Sequence, residues 1–426
     1  MKLQNLIYAT MVACAFSACS NDDDPNIPDP AQELDATLTV AFNSVGSNGG
    51  GLRSLQTKGD PDNKANATIK TIGIAVFNAG AMGTGAEGAS GMADGALISY
   101  KERTLVTGND IDSTDCVGAK SGYVDVLVVA NPPANLNGLK TKQDFIAATN
   151  KGNADIDPEA LLMSSKVYRV ELKKGRNVIV KDDNDTKQIF TDKAAVDNFI
   201  TSSGDIQVFR NVANIQLNTI KVDPRADFGG TTKKATFKLK KVYVMHYLPS
   251  VRIFGDADKV WCTVRDGEAD ITPNKDGSAM NKVYSGEGQQ VFKYEGTAKA
   301  EDVTDMPSFF VYDNSSTTQI NGNANVTALV IQGDYTYTAN NGAEETSEDA
   351  YWTVYINNDK PQAPTTTGVF GDLKHCGVLR NVQYAINATI TGTGSYDPEN
   401  PSAAATLTAN VEVVPWGQLT LDPSID

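Results

Sequence analysis

The chain predicts a mainly β protein of two β-domains with a few short helices. Three observations carry this: apolar residues recur at every second position from residue 34 onward, Gly- and Asn-rich turns separate the alternating runs, and 426 residues suffice for more than one packed core. Alternation sends successive side chains to opposite faces, so each run reads as a strand with one face toward a core.

An export signal precedes the first strand. Met1, Lys2 and Gln4 lead an apolar run at 6–18, too short for a membrane span of roughly 20 residues but suited to a secretory signal. It ends Ala15-Phe16-Ser17-Ala18-Cys19. This resembles a bacterial lipobox, which implies that Cys19 is acylated and becomes the new N-terminus; an ordinary cut near the Ala-x-Ala-like site is the alternative. Ser20-Asn21-Asp22-Asp23-Asp24 resembles the acidic signal that sends lipoproteins of Bacteroidota to the cell surface, and reads also as a solvated linker. Both fit, because Pro25, Pro28 and Pro30 keep 20–31 extended. Acyl chains contribute about 0.8 kcal/mol per buried methylene, so an acylated Cys19 holds the precursor at the outer membrane.

The first strand follows: Leu34, Ala36, Leu38, Val40 and Phe42 alternate with Asp35, Thr37, Thr39 and Ala41. A Gly/Asn/Ser-rich stretch at 46–51 then leads to Leu52-Arg53. Further strands read at 69–77, 123–130, 167–172 and 177–180, forming a first domain. Two helices are expected inside it, at 142–150 and at 193–200, the latter with Asp192 as N-cap and Ala195, Val196, Phe199 and Ile200 on one face. Ser202-Ser203-Gly204 marks its end. A second set of strands reads at 208–217, 235–247, 260–264, 308–312, 327–337, 351–356, 382–390 and 405–414. Arg-Asn-Val occurs at 210–212 and again at 380–382, each time leading into alternation, which raises an internal duplication without proving it.

Composition narrows function. A net charge of −15 repels a phosphate backbone, so no nucleic-acid partner is expected. Only two histidines, His246 and His375, leave general-base and zinc chemistry short of their commonest residue, and neither catalysis nor a cofactor is expected. Of five cysteines, Cys14 falls in the signal and Cys19 in the lipobox, leaving Cys116, Cys262 and Cys376 without a C-x-x-C pair. His375 and Cys376 are strand neighbours pointing to opposite faces and cannot form a dyad. The acidic stretches 110–115 and 182–185 lack EF-hand spacing, and Asn78-Ala79-Gly80-Ala81-Met82-Gly83 lacks the Gly-Lys-Ser/Thr ending of a phosphate loop.

Several segments together resemble the fimbrillins, major fimbrial subunits of Bacteroidales. They are the lipobox, Val128-Val129-Ala130-Asn131, Phe209-Arg210-Asn211-Val212-Ala213, Ile331-Gln332-Gly333-Asp334-Tyr335, Tyr351-Trp352-Thr353-Val354-Tyr355, Leu379-Arg380-Asn381-Val382-Gln383-Tyr384 and Val411-Glu412-Val413-Val414-Pro415-Trp416. The resemblance implies two transthyretin-like β-sandwich domains, surface export as a lipoprotein, cleavage after an arginine by a trypsin-like protease, and strand exchange between subunits. On that reading 1–19 is the signal peptide, 20–53 a propeptide with a removable strand, 54–203 the N-terminal domain and 204–426 the C-terminal domain. Arg53 is the natural cut, leaving Ser54 as N-terminus; Lys58 in a similar loop-like stretch is the runner-up, and Arg103 lies between strands.

Such a cut would take away residues 34–42 and open a groove that another copy's strand could refill. Leu407, Ala409, Val411 and Val413 alternate through 405–421 and form the candidate donor, unless that segment is simply the last strand of its own domain. Head-to-tail donation does not close, so its product is a filament of copies of this chain, with anchor and tip subunits as further partners. The alternatives are a membrane-retained anchor or tip subunit of the same fimbria, and a surface glycan-binding lipoprotein displaying aromatic platforms; Trp261, Trp352 and Trp416 sit in alternating strands and read as core instead.

Overall fold

The computed structural model describes residues 34–40, 57–58, 69–80, 92–104, 117–151, 156–180, 198–201, 206–229, 234–254, 271–279, 283–362, 374–401, 407–415 and 418–421. Strands dominate them, arranged chiefly as two pairs of facing sheets.

In the first pair, a four-stranded sheet runs in the order Asn198–Thr201, Gly175–Val180, Ala36–Val40, Val117–Ala119. It faces an eight-stranded sheet ordered Thr57–Lys58, Gln418–Leu421, Ile206–Arg210, Met163–Ser165, Gly122–Ala130, Thr71–Asn78, Leu97–Thr104, with Tyr168–Leu172 also paired to Gly122–Ala130. Ala36, Leu38, Val117 and Ile179 from the small sheet pack against Ile72, Ile74, Val76, Val124, Val126 and Val128 from the large one. The large sheet's other face is covered by Phe145, Leu136, Ile253 and Phe254 over Ala75, Phe77, Leu127 and Val129. Burial on both faces explains why Thr71–Asn78 and Gly122–Ala130 read as near-continuous apolar runs.

Phe145 belongs to the helix Lys142–Ala147, whose start is fixed by a capping box: Thr141 Oγ1 accepts the Asp144 N–H at 3.1 Å and Asp144 Oδ2 accepts the Thr141 N–H at 3.0 Å. The helix expected to reach 150 stops earlier, because Thr149–Lys151 pairs with Ser250–Arg252. The second expected helix is a correction. Asn198–Thr201 is a strand parallel to Gly175–Val180, with Phe199 and Ile200 opposite Val178 and Ile179; residues 193–197 lie outside the described residues. A β-branched and aromatic run that can cover an open sheet edge outweighs a helical spacing read from four apolar positions.

The second pair faces a sheet ordered Ala300–Asp302, Val212–Val222, Val382–Ile390, Leu407–Pro415, with Phe309–Tyr312 beside Val212–Val222, against one ordered Tyr284–Glu295, Lys234–Met245, Ala328–Thr338, Glu344–Tyr355. Trp352 is fully buried there, edge-on to Phe237 at 4.9 Å, with its N–H donated to the Gly392 carbonyl at 3.3 Å. The strand expected at 260–264, with Trp261 and Cys262, lies outside the described residues, as do Cys116, Trp416 and the acidic stretches at 110–115 and 182–185.

The repeated Arg-Asn-Val triplets meet where the two pairs join. Ile206–Arg210, beyond the boundary expected at 203/204, still pairs with Met163–Ser165 in the first pair, and the chain crosses over at Asn211. Val212–Val222 then runs parallel to Val382–Ile390, Asn214 opposite Gln383. Asn381 Oδ1 accepts the Arg210 N–H at 3.2 Å, and the Asn381 N–H bonds the Val212 carbonyl at 2.8 Å. Asn381 adopts φ 58°, a left-handed conformation that asparagine tolerates. Both arginines are fully buried, and burial pushes the Arg210 guanidinium down to about 9. Arg380 Nε lies 3.4 Å from Asp313 Oδ2, and its Nη2 donates to the Arg252 carbonyl at 3.0 Å.

Two measurements check these polar anchors. Asp313→Ala leaves Arg380 buried without its carboxylate and is expected to cost on the order of 3–5 kcal/mol in urea unfolding. Asp125, 1% exposed, bridges Arg169 at 2.8 Å and Lys142 at 2.6 Å. Burial works to raise its carboxyl, but the bonds from Arg169 and Lys142 outweigh it and hold the group below the carboxylate range. Its stabilisation is therefore complete above the unfolded value of about 4 and is lost as pH falls through the lower folded one. Asp125→Asn should lower stability at neutral pH and flatten the acid limb of a stability–pH profile.

Candidate strand-exchange site

The strand Ala36–Val40 lies between two others. It runs parallel to Gly175–Val180, Ala36 opposite Gly175 and Val40 opposite Ile179, and antiparallel to Val117–Ala119, Ala36 opposite Ala119 and Leu38 opposite Val117. Both of its backbone edges are therefore hydrogen-bonded. Ala36 and Leu38 are 0% exposed, and Thr37, expected to face outward, is buried as well, because the strand is central rather than peripheral. Leu34 is half-buried and lies over Gly118, where any Cβ would come within 2.6 Å of Leu34 Cδ1. A side chain there would displace the end of Leu34. The Val40 side chain and all of Phe42 lie outside the described residues.

Polar groups pin the strand's start. Asp35 accepts both the N–H and the hydroxyl of Ser121 at 2.8 Å, and Lys174 Nζ stands 3.6 Å away. Partial burial works to raise the Asp35 carboxyl, but Ser121 and Lys174 outweigh it and hold it below its usual value. The Gly175 N–H donates to the Asp35 carbonyl at 2.9 Å, and buried Asn177 donates to the Thr37 carbonyl at 3.2 Å. Gly118, Ser121, Lys174 and Asn177 carry no signal as a set in the sequence, since only the pairing brings them to one groove.

The candidate donor is placed differently. Among the described residues Leu407–Pro415 pairs only with Val382–Ile390, antiparallel, and is the last strand of its sheet. Leu407, Ala409 and Val411 are half-buried against the second core, while Thr408 and Asn410 are exposed. Val413 stands opposite Tyr384, its side chain outside the described residues. The chain continues to Gln418–Leu421, which crosses to the first pair of sheets and lies between Ile206–Val208 and Thr57–Lys58.

Upstream of the donor, residues 392–400 are fastened to Glu344–Tyr355. Ser395 and Tyr351 exchange backbone bonds at 2.7 and 2.9 Å, and the carbonyls of Pro398 and Glu399 accept the hydroxyls of Thr353 and Tyr355 at 2.7 and 3.2 Å. The Glu399 carboxylate also meets Lys275 and, at 3.1 Å, His246 Nε2.

Cys19, Arg53 and Ser54 lie outside the described residues. Lys58, expected in a loop, has its backbone in a strand opposite Gln418, and Arg103 is within Leu97–Thr104, opposite Ile72. His375 Nε2 sits 2.7 Å from the Tyr384 hydroxyl, beside the buried free thiol of Cys376. Asn78, at the start of the Gly/Ala stretch, spends its amide on the carbonyls of Met92 and Ala93 at 2.8 and 3.0 Å. Among the described residues no group of three His, Cys, Asp or Glu is placed to hold a metal ion. What the arrangement offers is a strand held by backbone pairing on both sides.

Residues 36–221 match the family model described as major fimbrial subunit protein (FimA), a span that opens at this central strand. The major fimbrium subunit FimA type-2 of Porphyromonas gingivalis is 22% identical over 434 residues, covering 98% of each chain. Among solved structures, a Parabacteroides distasonis protein assigned to cell adhesion aligns with a TM-score of 0.57 at 23% identity, over 90% of this chain and 99% of that one. A fimbrilin of Porphyromonas gingivalis W83 aligns with a TM-score of 0.53 at 19% identity, over 90% and 98%. The family model over these residues and the relative aligned end to end make the chain similar to the major fimbrial subunits, on a β fold shared with the solved structures.

Proposed function

We propose that this chain is the repeating shaft subunit of a surface fimbrium, serving adhesion and biofilm formation as a structural protein rather than an enzyme. It is exported as a lipoprotein through Cys19, cut between Arg53 and Ser54 by an arginine-specific protease, and polymerised when one copy's C-terminal strand fills the groove vacated in the next. Anchor and tip subunits bound the filament.

One observation supports this above the others: the strand N-terminal to Arg53 is central and paired along both edges, whereas the candidate donor is peripheral and paired along one. Removing residues 34–40 leaves the seats of Ala36 and Leu38 empty, at roughly 1.5–3 kcal/mol for each large buried side chain, and two rows of backbone groups without partners. A donor moving into that groove gains a second paired edge and deeper burial than it has at home. Because groove and donor lie on different faces of one chain, the contact is heterologous and propagates. Arg53 is favoured over Lys58 because proteases take extended, unpaired backbone, and Lys58 is already in a strand pair. Trp352, buried in the core, offers no platform for the glycan-binding alternative.

Arg53→Ala should accumulate as acylated, uncut monomer, and wild-type filaments should give an N-terminal sequence beginning at Ser54; filaments from the variant would refute the cut as the trigger. Leu38→Ala should destabilise the uncut chain by about 2–5 kcal/mol in urea, yet leave finished filaments unchanged, since the residue departs with the propeptide. Equal weakening of both would mean the strand is retained.

A further inference from the structure

Resting on the strand-exchange reading above, we infer that the C-terminal strand is a residue-by-residue copy of the strand it replaces, entering a second copy of this chain in one register: Leu407 in the seat of Leu34, Ala409 in that of Ala36, Val411 in that of Leu38 and Val413 in that of Val40. The two sequences are Leu-Asp-Ala-Thr-Leu-Thr-Val at 34–40 and Leu-Thr-Ala-Asn-Val-Glu-Val at 407–413. Both run Leu-x-Ala-x-(Leu/Val)-x-Val, with the single small residue at the same place.

That small residue sets the register. Ala36 is 0% exposed, set between Gly175 on one neighbour and Ala119 on the other. A shift by two positions puts Leu407 or Val411 where a fully buried alanine now sits, which overfills the core there, and a shift by one turns every apolar side chain to the wrong face. In the inferred register Leu407 lies over Gly118, as Leu34 does now. Thr408 brings a hydroxyl to the place where Asp35 meets Ser121. In this register the donor would run parallel to Gly175–Val180 and antiparallel to Val117–Ala119, the directions that Ala36–Val40 takes now.

A second segment carries a weaker likeness. Gly-Gln-Leu-Thr-Leu at 417–421 matches 36–40, but it places Pro415 at the Leu34 seat and Trp416 beside Ser121. Neither supplies the leucine that covers Gly118 nor a small polar group for Ser121.

The test uses the full chain carrying Ala119→Cys and Ala409→Cys, cut at Arg53 and assembled under oxidising conditions. Directly opposed strand positions are within disulfide reach. The expected result is a reducible ladder on non-reducing gels, absent from either single variant, with the link mapped between positions 119 and 409. Linkage through Gly417→Cys, Leu407→Cys or Val411→Cys in place of Ala409→Cys, in filaments that form normally, would overturn the register while leaving strand exchange intact. Failure of the cut wild type to form filaments would overturn the parent reading instead.

A second pair of variants needs no cysteine. Ala409→Leu overfills the Ala36 seat and should slow assembly by about tenfold or more, while Val411→Leu, which restores the side chain of Leu38, should assemble at least as fast as wild type. The uncut forms of both should still be folded, each with a single cooperative urea transition. The reverse order of assembly rates would reject the assignment.

Discussion

A strand inside a sheet satisfies its neighbours as well as itself, and Ala36–Val40 does so from the middle of the smaller sheet of the first pair. It joins Gly175–Val180 and Asn198–Thr201 on one side to Val117–Ala119 on the other, so its removal divides a four-stranded sheet into a parallel two-stranded ribbon and an isolated short strand. Two-stranded ribbons are marginal in water, and exposed edges seek partners. The buried face of the same strand closes one side of the first core, over Ile72, Val124 and Val126. Hydrogen bonding and apolar burial thus demand a replacement at the same place.

The rest of the molecule makes that demand answerable without collapse. Arg210, Asn211, Arg380 and Asn381 tie the two pairs of sheets together through buried polar bonds that specify one arrangement. The tail is held at two levels: Leu407–Pro415 on the second pair, Gln418–Leu421 on the first. Residues 392–400, fastened to Tyr351, Thr353 and Tyr355, mark where a detaching tail would still be tethered. Thr57–Lys58, the described strand that follows Arg53 in the chain, pairs with Gln418–Leu421, so the chain just beyond the proposed cut and the proposed tail share one sheet edge.

Alternation made the half-buried strands legible, including Val382–Ile390, Ala328–Thr338 and the N-terminal strand itself. Leu97–Thr104 and Tyr284–Glu295 escaped, because Ser, Lys, Glu, Gly and Gln interrupt their apolar period while cross-strand pairing still holds them. Asn198–Thr201 read as helix since its apolar spacing fits both periods, and only the open edge of Gly175–Val180 decides between them. Both the strand proposed as donor and the strand proposed as removable were visible as alternating patterns. Their difference in setting, central against peripheral, was not, since it comes from pairings between residues far apart in the chain. The walls of the groove were illegible for the same reason: Gly118 matters through Leu34, and Asn177 through the Thr37 carbonyl.

The central claim is that one strand alone keeps two sheet edges closed in the uncut chain. Hydrogen–deuterium exchange at residues 117–119 and 175–180 tests it directly, compared across uncut monomer, cut monomer freed of its propeptide, and filament. Protection should be high in the first, lost in the second and regained in the third. Unchanged protection in the cut monomer would contradict the account, because the edges would then be closed by something other than the strand that was removed.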